Sequence, residues 1–342
     1  MRKFRGKMGL GILLACTVAL GGCGQSAQTG TEGTEQTQTV ELYPTKQIEY
    51  VVPYSAGGGV DLVARAAADY LSKEWGQPIV VVNKAGGGGT VGAEYALKQA
   101  RPDGYTVLAT NNSNTSMLAG GMTNPEIKIE DNTFVAKLGE GTLAFVVKGD
   151  APWKDFREFS EWVQQNPEQL TWTSVGPAGF SAFGVAEWLK AIGVDMQKTR
   201  MIVTKGASDS LPKVAGGHAV LAVHTVGEAH AMAASGKVRI IAVSGTARSE
   251  FLPDVPTAQE QGVDGLTVKW WTGISVPNGT PESIRAQWEA AVKKMVNDSA
   301  FQQKLREIQV EPVFAGSEDF TNEINKETEY YTKLATERGF RK

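Results

Sequence analysis

Residues 48–99 read IEYVVPYSAGGGVDLVARAAADYLSKEWGQPIVVVNKAGGGGTVGAEYALKQ, in which two β-branched runs alternate with two helical stretches. The short apolar runs at 48–53 and 79–82 predict buried strands. The stretches 61–75 and 90–99 repeat apolar residues at helical spacing and predict helices. An order of strand, helix, strand and helix predicts an α/β fold whose strands are covered on both faces.

The strand pattern recurs along the rest of the chain. Further strands are predicted at 105–110, 143–147, 171–174, 201–204, 220–224, 239–243 and 269–276. From Pro281 onward the pattern predicts helices separated near Pro312. The chain has 342 residues, which is too long for one typical domain and suits two.

Two glycine clusters join predicted strands to the helices that follow them. The first cluster is Gly57-Gly58-Gly59, and the second is Gly86-Gly87-Gly88-Gly89. Glycine lets a ligand approach the backbone N–H groups, and the following helix adds unpaired donors and a partial positive charge. Two such junctions at neighbouring strand ends predict a carboxylate-binding site. The alternative is that both clusters are only tight turns.

The second cluster also satisfies a dinucleotide-binding pattern. Residues 87–92, GGGTVG, fit G-x-G-x-x-G between a strand and a helix. The acidic residue expected about 20 positions later is not at a strand end, since Asp103 lies in the turn Pro102-Asp103-Gly104. We therefore favour a carboxylate over a dinucleotide, and we predict no cofactor.

Catalytic and metal-binding patterns are absent from the sequence. His218, His224 and His230 are six residues apart and do not have a zinc spacing. The sequence has no G-x-S-x-G motif, and its two cysteines lie at positions 16 and 23. We predict a binding protein that is not an enzyme and holds no metal, with a secreted Ser/His hydrolase as an open alternative.

The N-terminus predicts an exported lipoprotein. Four basic residues precede an apolar run at 8–20, which is too short to span a membrane and fits residues 1–22 as a signal peptide. Leu20-Gly21-Gly22-Cys23 resembles a bacterial lipobox, so Cys23 is the predicted lipidation site; an ordinary signal peptide is the alternative. Residues 23–40 are predicted to form a disordered tether, because they are almost entirely polar.

The charge of the chain argues against nucleic acid as a partner. Beyond the first 22 residues there are 30 basic and 37 acidic side chains, a net charge of −7. Affinity for nucleic acid depends on a basic surface. The sequence thus predicts a small-molecule or protein partner.

Four segments resemble one known family, the tripartite tricarboxylate transporter substrate-binding proteins, also called Bug receptors. They are YPTKQIEYVVPYSAGGGVDLVAR (43–65), VVVNKAGGGGTVGAEYALKQARPDGYTVL (80–108), VRIIAVSGTARSEFLPDVPTAQEQG (238–262) and WWTGISVPNGTPESI (270–284). The resemblance implies a two-lobed, periplasmic-binding-protein-like (Venus flytrap) α/β fold. Each lobe would be a mostly parallel sheet flanked by helices, with two chain crossovers. Lobe one would hold 41–142 and 268–342, and lobe two 143–267.

The resemblance also implies ligand-binding residues in the cleft between the lobes. From lobe one these are Tyr54, Ser55, Ala56, Gly57, Gly58, Asp61, Asn83, Gly86 and Gly87, and from lobe two Ser174, Gly176, Ser181 and Lys205. Lys205 could equally be a solvated surface charge. Asn112 and Ser113, after the third predicted strand, are candidate cleft groups or simply loop residues. Asp61 begins a predicted helix and is four residues from Arg65, so it could equally serve the helix alone. In lobe two the sequence departs from the usual family pattern, because the glycines around Ser181 are spread out.

The resemblance implies a receptor that hands its ligand to a permease. The ligand would be a di- or tricarboxylate, an aromatic acid or an amino acid, and the partners would be one large and one small membrane subunit. We expect a monomer that is extracytoplasmic and lipid-anchored, at the periplasmic face or the outer surface. The alternative is a sensing lipoprotein that feeds a signalling partner through the same cleft.

Overall fold

The computed structural model describes residues 42–341, and its strands form one mixed sheet. The order is β2-β1-β3-β9-β4-β7-β5-β6, and β8 and β10 also pair with β4. The strands are β1 (Ile48–Val52), β2 (Ile79–Asn83), β3 (Thr106–Asn111), β4 (Asn132–Lys148), β5 (Thr171–Ser174), β6 (Arg200–Val203), β7 (Leu221–Thr225), β8 (Val238–Val243), β9 (Lys269–Pro277) and β10 (Glu311–Gly316).

The long strand β4 passes from one half of this sheet to the other. Its residues up to Thr142 pair with β9 and β10, whereas its residues from Leu143 pair with β7 and β8. We call β1, β2, β3, β9, β10 and residues 132–142 of β4 the first half, and β5, β6, β7, β8 and residues 143–148 the second half. The chain returns to the first half between β8 and β9. The domain boundaries predicted above stay a prediction.

Each half contains parallel strands next to antiparallel ones. In the first half β1 is parallel to β2 and β3, and in the second half β5 is parallel to β6 and β7. Every pair that includes β4 or β9 is antiparallel. The parallel strands carry the glycine loops at their carboxyl ends, as the sequence predicts.

Ten helices among the described residues cover the sheet. They are α1 (Gly59–Trp75), α2 (Thr90–Glu94), α3 (Ser116–Gly121), α4 (Phe156–Gln165), α5 (Phe180–Ala191), α6 (Ala207–Ala215), α7 (Val226–Ala234), α8 (Glu282–Val296), α9 (Ser299–Glu307) and α10 (Ser317–Glu337). A π-helical turn at Tyr95–Gln99 continues α2. No helix of residues 42–341 has the length and apolar content that a bilayer crossing requires.

Aromatic side chains fill the core of each half. In the first half the rings of Trp75 and Trp288 meet edge to face with centroids 4.6 Å apart. In the second half Phe156, Phe159 and Trp188 are fully buried and packed together, with Phe159 stacked on Trp188. Such pairs stabilise the fold beyond their buried area.

Two strand predictions need correction. Strand β4 begins at Asn132, eleven residues before the predicted start, because Lys137, Gly139 and Gly141 interrupt the apolar pattern and this part forms a strand by pairing with β9. Strand β10 occupies 311–316, where the sequence suggests only a break between helices. It pairs with β4 alone, and an edge strand of this kind tolerates Pro312. The predicted signal peptide, Cys23 and the tether lie outside the described residues.

Candidate functional site

The first glycine loop connects β1 to α1 and contacts both halves of the protein. Tyr54 Oη donates a hydrogen bond to Asn111 Oδ1 at 3.1 Å, and Ser55 Oγ donates to the carbonyl oxygen of Lys205 at 3.2 Å. Gly57 has a φ of +83°, which favours glycine. The Tyr54 pKa lies far above its usual value, because burial disfavours the phenolate, so the hydroxyl remains a donor.

Asp61 and Asn83 lie behind this loop and hold it. The Asp61 carboxylate is buried and accepts from Arg65 Nε and Nη2, both at 2.9 Å, from the Gly57 amide at 2.9 Å and from Asn83 Nδ2 at 2.8 Å. Burial alone would raise the Asp61 pKa, but the bonds from Arg65, Gly57 and Asn83 hold it below its usual range. Asn83 Nδ2 also donates to the Tyr54 carbonyl at 3.1 Å. The Asp61 carboxylate is thus ionised, and both of its oxygens accept hydrogen bonds from the chain itself.

The second glycine loop precedes α2 and presents its backbone to the cleft. Gly86, Gly87, Gly88 and Gly89 all have positive φ values, between +57° and +147°. Thr90 Oγ1 donates to the Gly87 carbonyl at 2.9 Å and fixes the turn. The amides of Gly87 and Gly88 have no hydrogen-bond partner among residues 42–341. They are therefore free to donate to a ligand.

The loop after β3 lies where the two halves of the sheet meet. Asn111 Oδ1 accepts from the amides of Ser113 and Asn114, which shapes the turn. Ser113 Oγ accepts from the Phe180 amide at 2.9 Å, across the two halves. Asn112 Nδ2 donates to the Lys269 carbonyl at 2.7 Å, so Asn112 supports β9 rather than the cleft.

In the second half, the hydroxyls of two of the predicted serines make hydrogen bonds within the protein. Ser174 Oγ donates to the Gly176 carbonyl at 2.7 Å, and Ser181 Oγ donates to the Val223 carbonyl at 2.6 Å. Both side chains are buried. Gly176 and Lys205 instead line the cleft, and Lys205 is exposed with no ion-pair partner within the part of the chain that the structure describes.

These loops surround a cleft of about 650 Å³, which is within the usual range for small-molecule sites. Of the predicted residues it is lined by Tyr54, Gly86, Gly87, Ser113, Gly176 and Lys205. A pocket of about 30 Å³ adjoins it, and the predicted residues that line this pocket are Tyr54, Ser55, Gly58 and Asp61. Ala56, Gly57, Asn83, Asn112, Ser174 and Ser181 line neither space.

Apolar side chains form much of the remaining lining of the larger cleft. Leu118, Met122, Val175, Pro177, Ala178 and Val203 are among them. The carboxylates of Glu126 and Asp209 lie at the same cleft, and Asp209 pairs with Lys213. A ligand with its anionic group at Gly87 and Gly88 would thus place the rest of its body against these apolar side chains.

Sequence reasoning misses a buried His224–Glu228 pair that lines the small pocket. His224 Nδ1 lies 3.0 Å from Glu228 Oε2, and Glu228 Oε1 accepts from the Gly59 amide at 2.8 Å, across the two halves. Burial alone would raise the Glu228 pKa, but the contact with His224 and the amides of Gly59 and Thr225 hold it below its usual range. The pattern Thr225-x-x-Glu228 is a capping box and could have placed Glu228 at the start of a helix.

Potential metal ligands are not brought together in the region that the structure describes. Residues 42–341 contain no group of three or more His, Cys, Asp or Glu side chains that could hold a metal ion. His218 and His230 are exposed and His224 is buried. The chemistry that the cleft can perform is binding through backbone donors, one lysine and apolar contacts.

Comparisons with known proteins agree on one family. A family model described as "Tripartite tricarboxylate transporter family receptor" matches residues 63–340. A UPF0065 protein of Pseudomonas sp. (strain P51) is 27% identical over 311 residues, 90% of each chain. Protein BugT of Bordetella pertussis is 26% identical over 314 residues, 90% of this chain and 94% of that one.

Solved structures show the same fold. The periplasmic binding protein BugD has a TM-score of 0.81 at 26% identity, covering 87% of this chain and 99% of that one. MatC from Rhodopseudomonas palustris, with bound malate, has a TM-score of 0.78 at 26% identity, covering 86% and 100%. Another R. palustris protein, with adipate, has a TM-score of 0.81 at 25% identity, covering 87% and 99%. The predicted two-lobed, periplasmic-binding-protein-like fold is confirmed.

Proposed function

The chain belongs to the tripartite tricarboxylate transporter receptor family, and on that premise we propose that it captures a small organic carboxylate in its cleft and delivers it to a tripartite transporter. The family and the periplasmic relatives make it an extracytoplasmic solute-binding receptor. The identity of the ligand, the large and small permease subunits and the delivery step are our proposal.

One observation carries the carboxylate proposal. The Gly87 and Gly88 amides have no partner among the described residues, and these two glycines line a cleft large enough for an organic acid. Backbone N–H groups in a glycine turn bind anions, because their partial positive charges converge. Two relatives of similar fold carry dicarboxylates, malate in one and adipate in the other.

We further propose that closure depends on contacts to both halves of the sheet. Gly87, Gly88 and Tyr54 would contact the ligand from the first half, and Gly176 and Lys205 from the second. A ligand shifts an equilibrium between open and closed forms only by its extra contacts in the closed form. We assign the two halves to lobe one (41–142 and 268–342) and lobe two (143–267).

The experiment is a thermal-shift screen of the purified protein against mono-, di- and tricarboxylates, aromatic acids and amino acids. A ligand at a hundred times its Kd stabilises the folded state by about 2.7 kcal/mol, so its Tm rises. The response should weaken in Lys205→Ala, which removes the cleft cation. It should persist in Lys198→Ala, because Lys198 is an exposed lysine of the second half that lies outside the cleft.

No shift with any acid, on folded protein freed of carried-over ligand, would contradict the proposed function. Equal shifts in Lys205→Ala and wild type would remove Lys205 from the site. Release of product from a carboxylic ester would favour the hydrolase alternative instead.

We also propose that Cys23 carries the lipid anchor. The support is the lipobox-like Leu20-Gly21-Gly22-Cys23 after a short apolar run. Cys23→Ser should leave the protein in the aqueous phase of a detergent partition, whereas wild type enters the detergent phase. Equal partitioning of the two proteins would contradict the anchor.

A further inference from the structure

The N-terminus of α1 is already occupied by a carboxylate of the chain itself. Glu228 Oε1 accepts a hydrogen bond of 2.8 Å from the amide of Gly59, the first residue of this 17-residue helix. No side chain caps α1 from its own N-cap residue, Gly58. An anion is stabilised at this place by the free amides and the helix dipole. Glu228 thus fills the kind of position at which the sequence predicts a ligand carboxylate.

Glu228 is held in place from the second half of the sheet. Its Oε2 lies 3.0 Å from His224 Nδ1 and accepts from the Thr225 amide at 3.3 Å. The side chain of Glu228 is 9% exposed and that of His224 is 3% exposed. One carboxylate oxygen therefore accepts a hydrogen bond at the start of α1, and the other accepts one at the start of α7. The carboxylate bridges the two halves.

The pocket that Glu228 shares with Gly59 and His224 leaves no room for a second carboxylate. The pocket there holds about 30 Å³, enough for about one water molecule, whereas the main cleft holds about 650 Å³. Two other buried polar atoms of its lining, Asn111 Nδ2 and His224 Nε2, have no partner among the described residues. These two atoms are polar groups of the pocket that a ligand could contact, and Glu228 accepts from Gly59 the hydrogen bond that an anion would accept at α1.

We propose that Glu228 is a resident carboxylate which occupies the anion subsite of the first glycine loop and so directs a ligand carboxylate to Gly87 and Gly88. This inference rests on the proposed function and assigns different roles to the two glycine loops. The first loop binds Glu228 of the chain itself, and the second loop binds the ligand. Glu228 is then a specificity-determining residue, since its removal creates a second carboxylate subsite.

Acetate tests the subsite directly. Glu228→Ala removes the Cγ carbon and the carboxylate, which together have the size and charge of acetate. We expect this variant to have a lower Tm than wild type, and sodium acetate to recover about half of the loss or more in a saturable manner. Sodium chloride at the same ionic strength should not recover it.

Two variants serve as matched controls in the same titration. Glu228→Gln keeps the volume and an oxygen that can accept from Gly59, so acetate should not stabilise it beyond wild type. Glu161→Ala removes an exposed glutamate of α4 and should respond as wild type does. Acetate recovery confined to Glu228→Ala supports the proposal, and the same response in all four proteins overturns it.

A second measurement decides the matter if Glu228→Ala does not fold. By isothermal titration, Glu228→Gln should bind hexanoate and adipate in the same affinity ratio as wild type, because its amide still blocks the subsite. Glu228→Ser, which is smaller, should bind adipate at least about tenfold better relative to hexanoate. An unchanged ratio in a folded Glu228→Ser overturns the proposal. If no carboxylate binds wild type, the proposed function fails, whereas acetate recovery still tests Glu228.

Discussion

The amide of Phe180 donates a hydrogen bond of 2.9 Å to Ser113 Oγ, and this contact joins the first residue of α5 to the loop after β3. It spans the two halves of the sheet beside the cleft, as do the contacts of Ser55 with Lys205 and of Gly59 with Glu228. The chain's own residues thus supply part of the energy that brings the halves together. In the proposed closure, a ligand would supply only the remainder.

Ser113→Ala should favour the open form. The substitution removes the acceptor of the Phe180 amide, and losing one hydrogen bond costs about 1 kcal/mol. A difference of that size changes the ratio of two forms about fivefold. Small-angle X-ray scattering should show a larger radius of gyration than for wild type. Ser299→Ala, at an exposed serine of α9, is the control, and equal radii in both variants would contradict the role of Ser113.

Gly87→Ala should destabilise the protein more than Gly57→Ala does. Both residues have positive φ, +57° and +83°, which costs an L-residue about 1–2 kcal/mol. A Cβ at Gly57 meets nothing within 4 Å, whereas one at Gly87 would lie 2.2 Å from Thr90 Oγ1, and overpacking adds about 1–3 kcal/mol. Urea unfolding should show this extra loss.

The Thr90→Ala background isolates the cause of that difference. It removes the atom that the new Cβ would meet, so Gly87→Ala should then cost about as much as Gly57→Ala. An undiminished difference in that background would assign the loss to the backbone rather than to Thr90.

Asp61→Asn should destabilise the protein by about 2 kcal/mol at pH 7, because Asp61 accepts charge-assisted bonds from the half-exposed Arg65 and a bond from the Gly57 amide. The pKa of Asp61 is lower in the folded than in the unfolded chain. Its contribution is therefore present above the usual pKa of about 3.9 and is lost as the pH falls through the lower, folded value. As the pH falls across this range, the free energy of unfolding measured in urea should decrease less steeply for Asp61→Asn than for wild type. The exposed Asp264→Asn should show the wild-type pH dependence, and the same dependence in all three proteins would contradict the prediction.

Local signals explain which parts of the fold the sequence predicts. The strands at 48–52 and 79–83 and the glycine loops are recognisable because apolar runs and glycines lie next to one another in the chain. The first part of β4 and the whole of β10 are missed, since residues such as Gly139 and Pro312 are unfavourable in isolation. They lie in strands because Gly139 and Pro312 pair with each other and the first part of β4 also pairs with β9.

The site is predicted in part for the same reason. Gly87 and Tyr54 are signalled by their own loops, whereas Glu228 reaches Gly59 across 169 positions of sequence. Ser174 and Ser181 resemble cleft residues in the sequence, but their hydroxyls are used by nearby carbonyl groups. Which side of a strand end faces the cleft depends on how the two halves pack, and a single sequence does not encode that locally.

Glu327 of α10 should make stability fall as the pH rises, in contrast to Asp61. Its Oε2 accepts from Ser116 Oγ at 2.7 Å and from Trp271 Nε1 at 2.9 Å, and burial raises its pKa. An acid with a raised folded pKa favours folding most below its usual pKa of about 4.3, and this contribution is lost as the pH rises through the folded value.

Glu327→Gln should therefore gain stability relative to wild type as the pH rises above the usual pKa of about 4.3. Both hydrogen bonds end on a single oxygen, so the glutamine Oε1 can accept both while its amide remains neutral. Urea unfolding at several pH values measures the difference, with the exposed Glu329→Gln of the same helix as control. A constant difference between Glu327→Gln and wild type would mean that Glu327 is equally protonated in the folded and unfolded chains, which contradicts a burial-raised pKa. A gain that grows with pH would identify the contact of α10 with α3 and β9 as a place where the fold retains a costly buried charge.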